Sequence, residues 1–385
     1  MPALRELTSG EVSFVKLFWQ SLAEDMAEYL YHTFLPMASF PEGQMPANHL
    51  LNRQINSIIP FYGYTIERTQ VLLAEGKEGE ETYLMEIPEE KEDASLLSEM
   101  LRTENEAAMN AMKDWENGQD IQEHFVPNQL QQRIDIEDFS DYEALVKRFY
   151  TIDANTMAGS DQLNAKLLAE KDMSIDRNVE GPQILIYHTH SQEGFADSVP
   201  GDESTTIMGV GEHLAEILTE KYGYQVLHHM GKYDVTSRDD AYSAALPDIE
   251  KVLRENPTIQ VVIDLHRDQI PESTHLVMDV GGRPTARFMF FNGMSRTKKT
   301  GNISYLYNEN LESNLAFSFQ MQMKAESYYP GLARKIYLKG YRYNMHLCPK
   351  SLLIELGGQN NTLEEALNAC DPIAHLLDMV LTGEA

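Results

Sequence analysis

The pattern of hydrophobic and polar positions is most informative at three short apolar runs that lead into chemically active side chains. Apolar runs of this length, bounded by polar residues, are typical of buried strands. In open α/β sheets, ligands bind outside the carboxyl ends of the strands. We therefore expect the three polar groups to meet at one edge of a sheet. The runs and their polar groups are 184–186 with 187–193 (YHTHSQE), 261–265 with His266, and 351–356, which contains Glu355.

Helical periodicity alternates with further short strands between residues 142 and 385. This alternation predicts an α/β fold with a mixed central sheet flanked by helices. Thr362 with Glu365 three positions later predicts a capping box at the last helix. The predicted helices are 163–173, 209–222, 248–255 (with Pro247 near its first turn), 308–328 and 362–381, and the additional strands are 224–227, 275–280, 285–291 and 335–338, with a hairpin turn at 281–284.

The first part of the chain has a different character. Apolar spacing predicts a helix over 13–35, and a second helix is expected over 94–115. Residues 75–143 contain 21 Asp or Glu against 5 Lys or Arg, which is typical of a solvated connector or of a docking segment for a basic partner. We therefore predict a helical N-terminal region with an acidic linker at 1–178 and a catalytic domain at 179–385.

Composition excludes some classes of function. The formal net charge is −29, from 31 basic and 60 acidic residues, which argues against nonspecific binding of nucleic acid or of an anionic membrane surface. Cys348 and Cys370 are the two cysteines and neither lies in a C-x-x-C motif, so neither a disulfide framework nor a thiolate zinc site is expected. No signal peptide or membrane-spanning segment is visible in the sequence.

The polar groups predict a metal centre. His190 and Glu193 form an H-x-x-E pair, and an imidazole nitrogen and a carboxylate oxygen at that spacing can bind one small divalent ion, most plausibly zinc (Zn²⁺). Catalytic zinc usually keeps three protein ligands and one water. We interpret His266 as the third ligand. A glutamate such as Glu355 is costly to bury unless it is paired or has a functional role. We interpret Glu355 as the base that deprotonates the metal-bound water.

Neighbouring side chains have open alternatives. His188 is either another ligand or a group that orients the ligands, and we expect it on the same face as His190 from their spacing. Asp264 either orients His266 or makes an ordinary buried hydrogen bond. Arg267 either clamps a substrate carboxylate or forms a structural ion pair. The loop containing Gln359 and Asn360 either contacts substrate or is a plain turn.

The motifs ILIYHTHSQE, VVIDLHRD and SLLIELGGQNNT, with FYTIDANT upstream, resemble those of the stage II sporulation protein P family of endospore-forming bacteria. The resemblance covers roughly residues 140–385. It implies a fold similar to zinc cell-wall amidases and, more distantly, zinc carboxypeptidases. The implied activity is zinc-dependent N-acetylmuramoyl-L-alanine amidase action on peptidoglycan during engulfment, with endopeptidase action on cross-links also credited to the family.

Carried onto this chain, the resemblance assigns metal ligands to His190 and His266 and the catalytic glutamate to Glu355. It leaves the second ligand open between Glu193, which we favour, and Glu212. It implies stage II sporulation proteins D and M as partners and the extracytoplasmic face of the septum membrane as the location. The family usually carries an N-terminal anchor, and none is visible here. A peptide-only carboxypeptidase or endopeptidase and an inactive wall-binding scaffold are the rival functions.

Overall fold

The computed structural model describes residues 125–383. The helices are α1 (Tyr142–Phe149), α2 (Ala165–Glu170), α3 (Ile207–Glu220), α4 (Ala241–Glu255), α5 (Leu311–Tyr328) and α6 (Leu363–Thr382). The strands are β1 (Tyr150–Ile152), β2 (Ile184–Tyr187), β3 (Val226–His228), β4 (Val261–Asp268), β5 (Val277–Val280), β6 (Arg283–Ala286), β7 (Phe288–Gly293), β8 (Arg296–Thr297), β9 (Gly301–Asn302), β10 (Ile336–Lys339) and β11 (Lys350–Gly358). In this part of the chain, no helix is both long and apolar enough to cross a membrane.

The central sheet is mixed and has seven strands in the order β1-β10-β7-β11-β4-β2-β3. Within it, β11, β4, β2 and β3 run parallel to one another, and β11 pairs antiparallel with β7. The predicted mixed α/β architecture is therefore confirmed. The carboxyl ends of β2, β4 and β11 lie side by side, as their apolar runs led us to expect.

The two faces of the sheet have separate cores because successive side chains alternate between them. Ile184 and Ile186 of β2 belong to the large core that includes residues of α3, α5 and α6. Leu185 and Tyr187 point to the other face and pack with Ala245 of α4. The ends of β2, β4 and β11 are thus held rigidly from both sides, which suits a site that needs fixed side chains.

Most predicted elements are present, with shifted ends. The capping box of α6 is confirmed: Thr362 accepts from the Glu365 amide, and the Glu365 side chain accepts from the Thr362 amide. The hairpin is tighter than predicted, since β5 and β6 flank a turn at residues 281–282 and Pro284 lies inside β6. The predicted second strand of that hairpin is divided, and its later part is β7 of the central sheet.

The predicted start of α4 at residue 248 is wrong, because the helix begins at Ala241 and contains Pro247 in its interior. Proline removes one backbone donor from a helix and usually ends or kinks it. Here Ala241, Tyr242, Ala245 and Leu246 are all buried ahead of the proline. Burial of this apolar face compensates for the lost hydrogen bond, which the sequence pattern around the proline does not reveal.

The predicted helices at 13–35 and 94–115, and most of the acidic stretch at 75–143, lie outside the described residues. The division at 178/179 stays a prediction. Strand β1, which precedes that position, pairs with β10 at the edge of the central sheet.

Candidate metal centre

The candidate site begins with the register of three neighbouring parallel strands. Glu355 of β11 is the partner of His266 on β4, and Asp264 on β4 is the partner of Tyr187 at the end of β2. Because register partners project to the same face, Glu355, His266, Asp264 and Tyr187 all lie on one side of the sheet. Beyond Tyr187 the chain leaves the sheet and brings His190 and Glu193 over the same face.

The imidazole of His190 faces that of His266. Their ring centroids are 5.2 Å apart, with an angle of 73° between the ring planes. Two imidazoles on a tetrahedral zinc, with nitrogen–zinc distances of about 2.0–2.1 Å, place their ring centroids roughly 5 Å apart. The observed separation therefore suits a shared ion. Burial and the charge of His266 lower the pKa of His190 to about 4, which favours the neutral, metal-binding form of the ring.

Glu193 is fully buried, and hydrogen-bond donors contact both oxygens of its carboxylate. Its Oε2 accepts the Arg267 backbone N–H at 2.9 Å and lies 3.6 Å from Nδ1 of His266, and its Oε1 accepts Nη2 of Arg238 at 2.7 Å. Burial alone would raise the pKa of this carboxyl. The hydrogen bond and charge of His266, together with the charges of His190 and Arg238, outweigh burial and hold the pKa well below its usual range.

His266 is oriented by Asp264. Nε2 of His266 lies 2.8 Å from Oδ1 of Asp264, an ion-pair contact whose angle is not that of a hydrogen bond, while Nδ1 points toward Glu193. Asp264 is itself fixed, because it accepts from the backbone N–H of Thr189 at 2.9 Å and from its hydroxyl at 2.6 Å. Burial lowers the pKa of His266, but the two carboxylates raise it well above its usual range. A carboxylate behind a ligand histidine is a common means of orienting the ring.

Glu355 points its Oε2 into the protein, where this atom is buried and has no hydrogen-bond partner among the described residues. Burial raises the pKa of Glu355 well above its ordinary value; the charges of Asp268 and Glu193 reinforce this shift, and those of His266 and Arg334 oppose it. Nδ1 of His190 is likewise buried without a partner in the described part of the chain. Nε2 of His266 belongs to the same group, and three partnerless polar atoms this close together are consistent with a site that an ion and its water complete.

The structure separates His188 from the cluster. Strand β2 ends at Tyr187, so the alternation that should have placed His188 and His190 on one face does not continue to His190. His188 projects to the opposite face, where Nδ1 lies 2.7 Å from the Leu265 carbonyl and Nε2 lies 2.8 Å from Nε2 of His228. Glu212, the alternative second ligand, contacts Nδ1 of His228 at 2.7 Å and belongs to this second group.

The three predicted substrate-binding residues are held by backbone groups. The Arg267 guanidinium donates to the carbonyls of Gly194 at 2.9 Å and Asp268 at 3.1 Å. The Gln359 amide pairs with both backbone polar groups of Ile270. Asn360 donates to the carbonyls of Pro271 and Thr274 at 2.9 and 2.7 Å. These side chains fix the loops around the site in this structure, and their contact with substrate stays a prediction.

Two functional candidates escaped the sequence interpretation. Arg238 reaches Glu193 from the irregular segment before α4, and no motif surrounds it. The ring centroid of Tyr242 lies 5.6 Å from that of His190 and 6.3 Å from that of His266, so Tyr242 forms part of the wall of the site. The available signal was an Arg in the mostly polar stretch 234–240 (DVTSRDD) immediately before an amphipathic helix, and this signal is too common to single out.

Among residues 125–383, no three His, Cys, Asp or Glu side chains stand in a ready metal-holding arrangement. The two oxygens of Glu193 accept hydrogen bonds from Arg238 and from the Arg267 backbone N–H. The donor set nevertheless fits a divalent ion: two imidazoles and a carboxylate are the ligands zinc prefers. The partnerless nitrogen of His190 and the partnerless oxygen of Glu355 support the same fit.

Comparison with known proteins places the chain in a family. The model of the stage II sporulation protein P family matches residues 48–378. The chain belongs to this family. A curated relative, the stage II sporulation protein P of Bacillus subtilis (strain 168), is 26% identical over 225 residues, which cover 54% of this chain and 53% of the relative. The aligned region thus spans about half of the relative's length.

Several solved structures are distantly similar. The N-acetylmuramoyl-L-alanine amidase from Clostridium difficile 630 has a TM-score of 0.33 and 14% identity, covering 53% of this chain and 97% of the amidase. The metallo-carboxypeptidase from Burkholderia cenocepacia has a TM-score of 0.30 and 10% identity, covering 55% of this chain and 60% of that protein.

Proposed function

We propose that this protein is a zinc-dependent peptidoglycan hydrolase that cleaves the amide between N-acetylmuramic acid and L-alanine of the stem peptide during sporulation engulfment. The observation that supports it most is the meeting of His190, Glu193, His266 and Glu355 on one face at the carboxyl ends of parallel strands. Family membership supports the same role in sporulation.

In this proposal His190, Glu193 and His266 hold the ion, and Asp264 keeps the His266 ring in place. When bound, a zinc ion would polarise the amide carbonyl and make a water acidic enough to react at neutral pH. His266 would have to give up the proton that the Asp264 and Glu193 carboxylates favour on its ring before it could hold the ion.

Glu355 is proposed as the general base and acid. It takes a proton from the water while the water oxygen bonds to the amide carbon and the C=O π pair moves onto oxygen. The C–N bond then breaks, and the nitrogen leaves with the proton that Glu355 had taken. The products are a free lactyl carboxylate on the glycan and a stem peptide with a free L-alanine amino group.

The bond cleaved can be read from the products. We expect zinc-loaded protein, incubated with purified peptidoglycan, to release stem peptides that begin with L-alanine and to leave unsubstituted muramoyl carboxylates, both visible by mass spectrometry. Shortened peptides that remain attached to muramic acid would instead mean a peptide-only carboxypeptidase or endopeptidase. Binding to peptidoglycan without any new product would mean a scaffold, and either result would overturn the amidase proposal.

Since this substrate lies outside the cytoplasmic membrane, the proposal places the protein on the extracytoplasmic face of the sporulation septum. Stage II sporulation proteins D and M are the partners that family resemblance implies, and they stay part of the proposal.

A further inference from the structure

Arg238 joins the buried centre of the candidate site to its solvent-exposed side. Its Nη2 donates to Oε1 of Glu193 at 2.7 Å; the side chain of Arg238 is 49% exposed, whereas that of Glu193 is 1% exposed. A guanidinium has five N–H donors in a rigid fork. The contact with Glu193 uses one nitrogen, and the half-exposed guanidinium has further N–H groups that could donate to a bound molecule.

The segment that carries Arg238 is fixed to the loop that carries the predicted ligands. Asp234 of this segment accepts from the Ser191 hydroxyl at 2.7 Å and from the Gln192 backbone N–H at 3.0 Å. Arg238 is therefore held beside His190 and Glu193 by contacts other than its own. Charged groups that are placed in advance stabilise a transition state most effectively, because they do not have to reorganise during the reaction.

Arg238 carries its charge permanently. Partial burial tends to lower its pKa, but the carboxylates of Glu193, Glu355 and Asp234 outweigh burial and raise the pKa. Its cationic neighbour Arg267 has its guanidinium committed to the carbonyls of Gly194 and Asp268. Arg238 thus presents a half-exposed positive charge to the proposed ligand Glu193 and acts electrostatically on the proposed base Glu355.

We propose that Arg238 stabilises the negative charge that develops on the amide oxygen during hydrolysis, in addition to holding Glu193. This inference rests on the proposed function, since the oxygen concerned is the carbonyl oxygen of the amide that is cleaved. As the water oxygen bonds to carbon, the C=O π pair becomes a localised charge on that oxygen. A guanidinium beside Glu193 would then stabilise the negatively charged tetrahedral state more than the neutral planar amide.

Kinetics of Arg238→Gln and Arg238→Lys test the proposal. We expect Arg238→Gln to bind zinc with an affinity within about threefold of the unmodified protein, and to lose about 100-fold in kcat with a much smaller change in KM. Arg238→Lys keeps the charge but loses the planar fork of donors. Its kcat should lie between those of Arg238→Gln and the unmodified protein. Arg254→Gln, an exposed arginine in the last turn of α4, is the matched control and should match the unmodified protein.

A kcat for Arg238→Gln within threefold of the unmodified protein would overturn the proposal. Loss of zinc binding in Arg238→Gln would also overturn it, because Arg238 would then act only by holding Glu193. Thermal unfolding of each variant shows whether the fold is intact.

A binding measurement separates this inference from the proposed function. The probe is a phosphinic analogue of N-acetylmuramoyl-L-alanine, in which a tetrahedral anion replaces the amide, titrated calorimetrically into zinc-loaded protein. We expect Arg238→Gln to bind it at least tenfold more weakly, while Arg254→Gln binds it normally. If this difference appears in a protein that hydrolyses no peptidoglycan, the proposed function fails and Arg238 remains the anion-stabilising residue. Equal affinities overturn the role of Arg238, whatever the activity.

Discussion

Glu355 and His266 are register partners on the neighbouring parallel strands β11 and β4. This relationship places the proposed base and a proposed ligand on one face of the sheet without any help from a loop. Below them, the two strands pair in continuous register from Lys350 with Val261 onward, and the register shifts only after Glu355. The spacing between base and ligand is therefore set by the rigid sheet, as a reaction that needs fixed geometry requires.

Glu355→Gln should separate metal binding from activity. Because Glu355 is proposed to move protons and not to bind the ion, we expect zinc content to be unchanged and hydrolysis of peptidoglycan to fall by at least about 100-fold. Metal analysis and product release on the same sample check both. Glu364→Gln, exposed at the start of α6, is the control. Substantial hydrolysis by Glu355→Gln would rule out this glutamate as the base.

Glu193→Gln and Glu212→Gln form a matched pair that identifies the second ligand. Glu193 lies 3.6 Å from His266, whereas Glu212 contacts His228 in the group on the opposite face. We expect Glu193→Gln to weaken zinc binding at least tenfold and Glu212→Gln to leave it unchanged, as measured by competition with a chelator. The reverse order would move the second ligand to Glu212.

Asp264→Asn tests whether Asp264 orients the His266 ring for metal binding. Asp264 lies 2.8 Å from Nε2 of His266. Loss of the carboxylate should weaken zinc binding by roughly 10–100-fold, the usual effect of removing a group that orients a ligand histidine. Asp239→Asn, an exposed aspartate of the neighbouring segment, is the comparison. Equal zinc affinity in both variants would reduce Asp264 to an ordinary buried hydrogen-bonding residue.

Gly211→Ala should destabilise the fold even though alanine is the better helix former. A Cβ at Gly211 of α3 would lie 2.5 Å from Nε2 of His188 and 2.8 Å from Nε2 of His228. Alanine gains about 1 kcal/mol of helix propensity over glycine, but crowding in a packed interior costs roughly 1–3 kcal/mol. We expect a net loss in the free energy of unfolding by urea, whereas Thr219→Ala, at an exposed position of α3, should be near neutral. A stabilised Gly211→Ala would show that the histidine pair moves aside without cost.

The parts of the fold that depend on local sequence pattern could be predicted from the sequence. The apolar runs predicted β2, β4 and β11, and the Thr362–Glu365 capping box predicted the start of α6. The prediction that the ends of the three strands meet follows from a general property of parallel sheets, and the register confirms it.

What the sequence could not show depends on where strands end and on long-range contacts. The expected shared face of His188 and His190 failed because β2 ends at Tyr187, and element boundaries are weakly encoded in local pattern. Arg238 is 45 positions from Glu193 along the chain, and only folding brings them together. The loop with Gln359 and Asn360 was left open between substrate contact and a plain turn; the side chains bind backbone carbonyls of residues 270–274, a long-range contact that no local pattern shows, and substrate contact stays a prediction.

His190, Glu193 and His266 are proposed to bind one ion, and anomalous diffraction at the zinc edge from zinc-equilibrated crystals would locate it. We predict one strong peak at about 2.0–2.2 Å from a nitrogen of each histidine and an oxygen of Glu193, with Glu355 close to its open side. A peak beside His228 and Glu212, or no peak at saturating zinc, would contradict the claim.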